Sequence, residues 1–384
     1  MLSKNLNNAL QWASGIRTDL TYLLLLLFMQ GRSCLIRTKC RNSASSIHEP
    51  HCHHKKLAIY LGTDYNQDMS GMFQAVAGTV KTIPLYTKGQ WGQITDINVT
   101  PEAILLNRTI NETALTKLIT DSGFNPSQVL LIGQTWAFCF SPEYLHRLKQ
   151  QGISFILISM DDKHSFIIPS IHFGDLGVRP IAKYSDTILS TTAFTRTCLP
   201  YHEDIRVIPL ASPLHSIKTS IQSDKPACYK DIDVLFIGKN YGYRSHVICY
   251  LISNGINVTC YGSGWPNGKL DPECVCNTYN RSKIVLGFSF ILNSRRLTGI
   301  KLRDFEVTAA GAFYLTSYSS DLSNYFEEGK HLCFWRNKPD LLTKVRYYLA
   351  SDKERQAIAT QAAEHSLRYS WTELKDAVSQ YQTL

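Results

Sequence analysis

The sequence predicts an α/β protein made of two open sheets with helices on their faces, and three observations carry that reading. From Leu57 onward, short apolar and β-branched runs alternate with helical stretches. Several runs end in Gly or acidic turns, as at Gly62, Gly133, Gly238 and Asp161-Asp162. The chain has 384 residues, more than one core usually supports, so two domains of about 150 residues each are expected. A hydrophobic content of 44% and an aromatic content of 11% fit folded globular domains and exclude a disordered or fibrous chain.

The first domain is expected over residues 57–211. Leu57 to Leu61 reads as a strand, Met69 to Val80 as a helix, and Ile83 to Tyr86 and Ala103 to Leu106 as further strands. Glu112 to Asp121 reads as a helix, Val129 to Ile132 as a strand closed by Gly133, and Pro142 to Gln150 as a helix. Ile153 to Ser159, Ile188 to Ser190 and Arg206 to Ile208 complete the strands. A polar stretch at 212–230, with Pro213 and Pro226, reads as a linker. The second domain spans 231–368, and residues 369–384 form a closing helix.

Within the second domain, residues 231–266 form one βαβ unit. Val234 to Ile237 is a strand, Ser245 to Ser253 a helix stopped by Gly255, and Asn257 to Tyr261 a second strand before Gly262-Ser263-Gly264. The turn after the first strand contains Gly238, Lys239 and Tyr241, with Arg244 at the start of the helix. Ligands of open α/β sheets bind at that edge, and a helix N-terminus favours anions. The turn is not GxGxxG, so a dinucleotide fingerprint is absent.

Residues 301–315, KLRDFEVTAAGAFYL, add the residue types that a sugar-nucleotide needs. Lys301 and Arg303 offer positive charge to a diphosphate, and Glu306 offers a carboxylate to sugar or ribose hydroxyls. The small run Ala309-Ala310-Gly311 is expected to let backbone N–H groups approach the phosphates. A surface helix running into a buried strand is the alternative for this segment.

Together these segments resemble the donor-binding half of the group 1 glycosyltransferases, in particular the CgeB-like branch. The resemblance rests on Ile237-Gly238-Lys239-Asn240-Tyr241 with Arg244, Tyr261-Gly262-Ser263-Gly264-Trp265, Ser282-Lys283-Ile284, Arg303 through Gly311, and Phe326-Glu327-Glu328-Gly329-Lys330. It covers about 231–372 and thins over 57–215. It implies the GT-B-type architecture, two Rossmann-like domains facing across a cleft, with the acceptor mainly on the first domain and the nucleotide on the second. The family's Glu-x7-Glu pair is incomplete, because its second Glu matches Glu306 while Thr298 stands where the first would be. Asp161, which the family also tends to carry after this strand, is a candidate acceptor-side base, with a turn or N-cap acid as the plain alternative.

The net charge of +9 does not mark a nucleic-acid binder. Residues 1–56 hold eight Lys/Arg against two Asp/Glu, and the other 328 residues hold 32 against 29. Eleven scattered cysteines suggest reduced thiols and a cytoplasmic protein. The five Asn-x-Ser/Thr sequons, at Asn98, Asn107, Asn111, Asn257 and Asn280, read as chance matches because Asn257 heads an apparently buried strand. Residues 1–56 read as a basic N-terminal extension whose apolar run at 20–29, too short to span a membrane, is a short Leu-rich helix docked on the body or part of a spurious extension, with peripheral membrane contact the alternative. His51-Cys52-His53-His54 reads as polar linker rather than metal site, and no DxD motif stands where the fold would use one.

The expected function is a metal-independent, cofactor-free glycosyltransferase taking a nucleotide-sugar donor and an acceptor of unspecified class. Its catalytic candidates are Arg303, Glu306 and Asp161. Its donor-binding candidates are Gly238, Lys239, Tyr241, Arg244, Gly262, Gly264, Lys301, Ala310 and Gly311. A sugar-nucleotide epimerase on the same fold and an inactive nucleotide-sugar-binding protein are the alternatives.

Overall fold

A computed structural model describes residues 16–17, 19–20, 23, 55–62, 67–86, 101–134, 140–160, 163, 166, 178–211, 230–291, 294 and 296–381. The chain divides into two compact units, one holding Pro209–Ser370 with Met1–Leu20 and the other Thr21–Ile208 with Trp371–Leu384. Asp161, Asp162, the 51–54 cluster and nearly all of the 20–29 and 212–230 segments lie outside the described residues.

The first unit holds six strands: β1 (Leu57–Gly62), β2 (Lys81–Tyr86), β3 (Val129–Gln134), β4 (Ser154–Ser159), β5 (Thr187–Ser190) and β6 (Ile205–Val207). All are parallel, in the order β2-β1-β3-β4-β5-β6. Between them run α1 (Gln67–Ala77), α2 (Pro101–Asp121), α3 (Pro142–Gln150), α4 (Val178–Ile181) and α5 (Phe194–Cys198). Parallel strands buried on both faces need apolar residues at every position, which is why β1 and β3 read as unbroken apolar runs. Burying one such Leu or Ile side chain contributes about 1.5–3 kcal/mol.

One expected strand is absent. Ala103 to Leu106 belongs to α2, which Pro101 opens and Glu102 supports in its first turn. No breaker interrupts the segment before Gly123, and the buried positions Ile104, Asn111, Leu115 and Ile119 fall on one helical face. Leu105, Leu106 and Ile110 are exposed, so the apolar run that suggested a strand is partly a solvent face.

The second unit holds β7 (Ile232–Ile237), β8 (Val258–Tyr261), β9 (Ser282–Gly287), β10 (Tyr314–Ser317) and β11 (Cys333–Trp335), again all parallel. Its helices are α6 (Arg244–Ser253), α7 (Val275–Asn280), α8 (Leu302–Ala309), α9 (Lys338–Ala350) and α10 (Asp352–Ser366). The strand order is β11-β10-β9-β7-β8. Counted from the first strand of each sheet, both units share the order 2-1-3-4-5, and the first adds a sixth strand. The chain leaves β7 for β8 on one side and returns to β9 on the other, which makes the β7/β9 boundary the topological switch point.

The closing helix, α11 (Thr372–Ser379), packs on α1 of its own unit. The Lys55 N–H donates to the Tyr381 carbonyl at 3.0 Å, and Arg206 donates to Gln380 Oε1 at 2.7 Å. Asn257 heads an edge strand and is exposed, so burial does not explain away that sequon, whereas Asn111 is 5% exposed. The described cysteines are free thiols, and no described helix is long and apolar enough to cross a membrane.

Candidate donor site

Two turns meet at the carboxyl end of β7. Gly238 N–H donates to the Tyr261 carbonyl at 2.7 Å, and Asn240 N–H to the Ser263 carbonyl at 2.8 Å. The Trp265 indole N–H donates to the Gly238 carbonyl at 2.8 Å, and Asn240 Nδ2 to the Gly264 carbonyl at 3.1 Å. The backbones lie so close that Gly262, at φ +129°, has no room for a side chain. A Cβ there would fall under 3.0 Å from the Gly238 carbonyl oxygen. The same bonds consume the Gly238 N–H, so that group is not available to a phosphate. Lys239 stands exposed at the tip of the turn.

The start of α8 closes on these turns from the β9 side. A Cβ on Gly238 would collide with Nη2 of Arg303, and the Arg303 guanidinium lies 5.0 Å from the Phe236 ring centre. Cation–π contact and a half-buried setting hold that guanidinium in place. Its Nε–H has no hydrogen-bond partner among the described residues. Burial works against the Arg303 charge, but Tyr279, Tyr314, Glu306 and Asp304 outweigh it and raise the pKa above the ordinary value. One turn further along, a Glu306 oxygen accepts from Tyr279 Oη at 3.5 Å. Burial raises the Glu306 pKa, and Arg303 opposes the rise.

Asp304 anchors this helix end. Its carboxylate accepts the Lys301 N–H at 2.7 Å and Tyr314 Oη at 2.6 Å, and no part of the residue is exposed. Desolvation raises its pKa to about 6 against these bonds. The first bond satisfies a donor ahead of the first turn of α8, so this acid fixes the helix start on which Arg303 stands.

The structure thus brings Gly238, Arg303 and Glu306 together, with Lys239, Tyr241, Gly262, Gly264 and Lys301 on the adjoining turns. Two expectations fall elsewhere. Arg244, expected at a diphosphate, turns inward and is 6% exposed. Its guanidinium donates to the Lys239 carbonyl at 2.8 Å and Tyr241 Oη at 3.0 Å, and it stacks 4.0 Å from the Tyr241 ring centre. Burial, with Arg303 nearby, pulls its pKa down to about 10. Arg244 therefore braces the turn from beneath.

Ala310 and Gly311 form the opposite end of α8. The Ala310 N–H donates to the Glu306 carbonyl at 2.9 Å and the Gly311 N–H to the Thr308 carbonyl at 3.1 Å. Gly311, at φ +70°, is the left-handed residue that ends the helix. Eight helical residues separate it from Lys301, roughly 12 Å of rise, so it lies on the other side of the sheet. Thr298 pairs with Phe290 in an antiparallel bridge.

Sequence reasoning passed over Tyr279, Asp304 and Tyr314. The spacing of Asp304 from Lys301 matches a helix-capping acid, a signal that was available; the two tyrosines carry no local signal. In the first unit, Gln134 ends β3 fully buried with Oε1 lacking a partner, at the edge where that sheet's own switch point lies. Among the described residues, no group of three or more His, Cys, Asp or Glu is placed to hold a metal ion.

Residues 244–374 match the family described as glycosyl transferase-like. The whole fold is similar to sucrose-phosphate synthase from Thermosynechococcus elongatus, with a TM-score of 0.57 at 12% identity over 85% of this chain and 98% of that one. It is also similar to the trehalose-6-phosphate phosphatase N-terminal domain of Candida albicans, at TM-score 0.60 and 10% identity over 86% and 97% of the two chains. A third likeness is to α,α-trehalose 6-phosphate synthase from Burkholderia multivorans, at 0.56 and 11% over 86% and 98%. The fold is the two-Rossmann, GT-B-type architecture. No curated protein sequence matches the chain.

Proposed function

We propose that the protein is a metal-independent glycosyltransferase that moves a sugar from a nucleotide-sugar donor to an acceptor hydroxyl. The observation that carries this reading is the meeting of Gly238, Arg303 and Glu306 at the switch point of the second sheet. Arg303 and Glu306 sit inside the stretch that matches the glycosyl transferase-like family, and Gly238 just ahead of it.

Arg303 contacts the donor diphosphate, where negative charge grows as the bond to the sugar breaks. A guanidinium already packed on Phe236 needs little reorganisation at that moment, so its contact favours the transition state over the bound donor. Lys239 and Lys301 add positive charge around it. Glu306 accepts hydrogen bonds from donor hydroxyls while Tyr279 holds its carboxylate. Gly262 and Gly264 keep the turns low enough for the nucleotide to lie across them. Asp161 is assigned to the acceptor side. With the leaving group neutralised by protein cations, the reaction needs no metal.

Calorimetry with nucleoside diphosphates and the matching nucleosides tests this site. Arg303→Gln is expected to weaken the diphosphate roughly 10- to 100-fold and to leave the nucleoside unchanged. Equal diphosphate binding by parent and variant would remove Arg303 from the site. Transfer is expected to persist in EDTA; activity that EDTA abolishes and Mg²⁺ or Mn²⁺ restores would overturn the metal-independent reading.

A further inference from the structure

The amino edge of the second sheet carries a separate cationic cavity. It encloses about 470 Å³ and is lined by Lys230 ahead of β7, Lys283 in β9, Phe313 ahead of β10, and Asp352, Lys353 and Arg355 at the start of α10. That volume lies within the range of small-molecule sites. Four cationic side chains line it together with Asp352, and Asp233 stands beside Lys283.

Each cation is held differently. Lys230 Nζ donates to the Asn280 and Ser282 carbonyls at 3.0 and 2.9 Å, and Lys283 pairs with Asp233 at 2.7 Å. Arg355, only 4% exposed, donates to the Tyr348 carbonyl and to Asp352, yet its Nε–H has no acceptor. Lys353 is exposed on the first turn.

Ser351, at the N-cap of the fifteen-residue α10, makes no capping bond, and its hydroxyl donates back to the Tyr347 carbonyl at 2.9 Å. The first turn of α10 instead carries Asp352 and Glu354, which meet its N-terminal partial charge on either side of Lys353.

The geometry points to a binding site here for a small phosphate-bearing metabolite, with the phosphate among the lysines and Arg355 and the carbon skeleton against Phe313. The six-residue β7 separates this edge from the donor turns by roughly 20 Å, so one ligand cannot occupy both. The site stands whether or not the donor assignment does.

Pyrophosphate is the probe, titrated by calorimetry into the Arg303→Gln protein so that the donor turns contribute least. Binding is expected to persist there and to weaken roughly tenfold when Lys353→Glu is added. An acid in the first turn of α10 suits the helix N-terminus, so this substitution does not threaten folding. Lys283→Gln, from the sheet side of the cavity, is expected to weaken binding in the same direction. Two results would overturn the site: Arg303→Gln alone removing all pyrophosphate binding, or Lys353→Glu and Lys283→Gln both leaving it unchanged.

Discussion

The two edges of the second sheet use similar residues for different ends. At the carboxyl edge, Gly262 is forced by the approach of the Gly238 backbone and Gly238 by the Arg303 guanidinium and the Phe236 ring, and Arg303 itself sits half-buried. At the amino edge, Gly311 only ends a helix, and the nearest atom to a Cβ there would be Ala363 Cβ at 3.7 Å. A glycine beside a cation in sequence is therefore no guide to a phosphate site. What separates the two is whether the glycine is required by contact or by backbone angle alone.

Gly262→Ala breaks the comparison hardest. Its Cβ would strike the Gly238 backbone, which cannot swing aside as a side chain can. With the left-handed φ added, a loss of about 2–4 kcal/mol in unfolding free energy is expected, together with weakened nucleoside diphosphate binding. Chemical denaturation and calorimetry check both, and a variant as stable as the parent would show that the turns are looser than described.

An intermediate effect is expected at Asp304, which ties the site to pH. Its folded pKa of about 6 lies above the ordinary carboxyl value of 3.8, so the native state holds a proton that the unfolded chain releases. This residue's contribution to stability is full below about pH 4 and is lost as pH rises through about 6. Melting temperature measured from pH 4 to 7 should fall more in the parent than in Asp304→Asn, which has no such proton to lose. Parallel profiles for the two proteins would remove Asp304 as the source.

Gly311→Ala should have the smallest effect. A left-handed alanine costs about 1 kcal/mol, and the space around the site is open, so stability drops slightly. Nucleoside diphosphate affinity should not change. A loss of affinity comparable to that in Gly262→Ala would return Gly311 to the donor site and erase the distinction between the two edges.

Much of this was legible in the chain itself. The alternation of apolar runs and helical stretches specified two α/β units, because a parallel strand buried on both faces must be apolar throughout. The windows that hold Gly238, Gly262, Arg303 and Glu306 were recognisable from residue type and order. Local pattern failed at Ala103–Leu106, where a four-residue apolar run suits strand and helix alike and only the longer period through Asn111, Leu115 and Ile119 decides.

Tertiary structure alone decided which cations stay available. Arg244 and Arg303 look equivalent in sequence, each at the start of a helix after a strand. Arg244 finds the Lys239 carbonyl and the Tyr241 ring and is consumed by its own turn, while Arg303 packs on Phe236 and stays partly exposed. Likewise, Ala310 and Gly311 follow Glu306 closely in sequence but close the far end of α8, because each helical residue advances about 1.5 Å away from the site. Sequence spacing reports the period of an element. The fate of a charge depends on partners that folding brings in, such as Tyr279, which reaches Glu306 from α7, twenty-seven residues away.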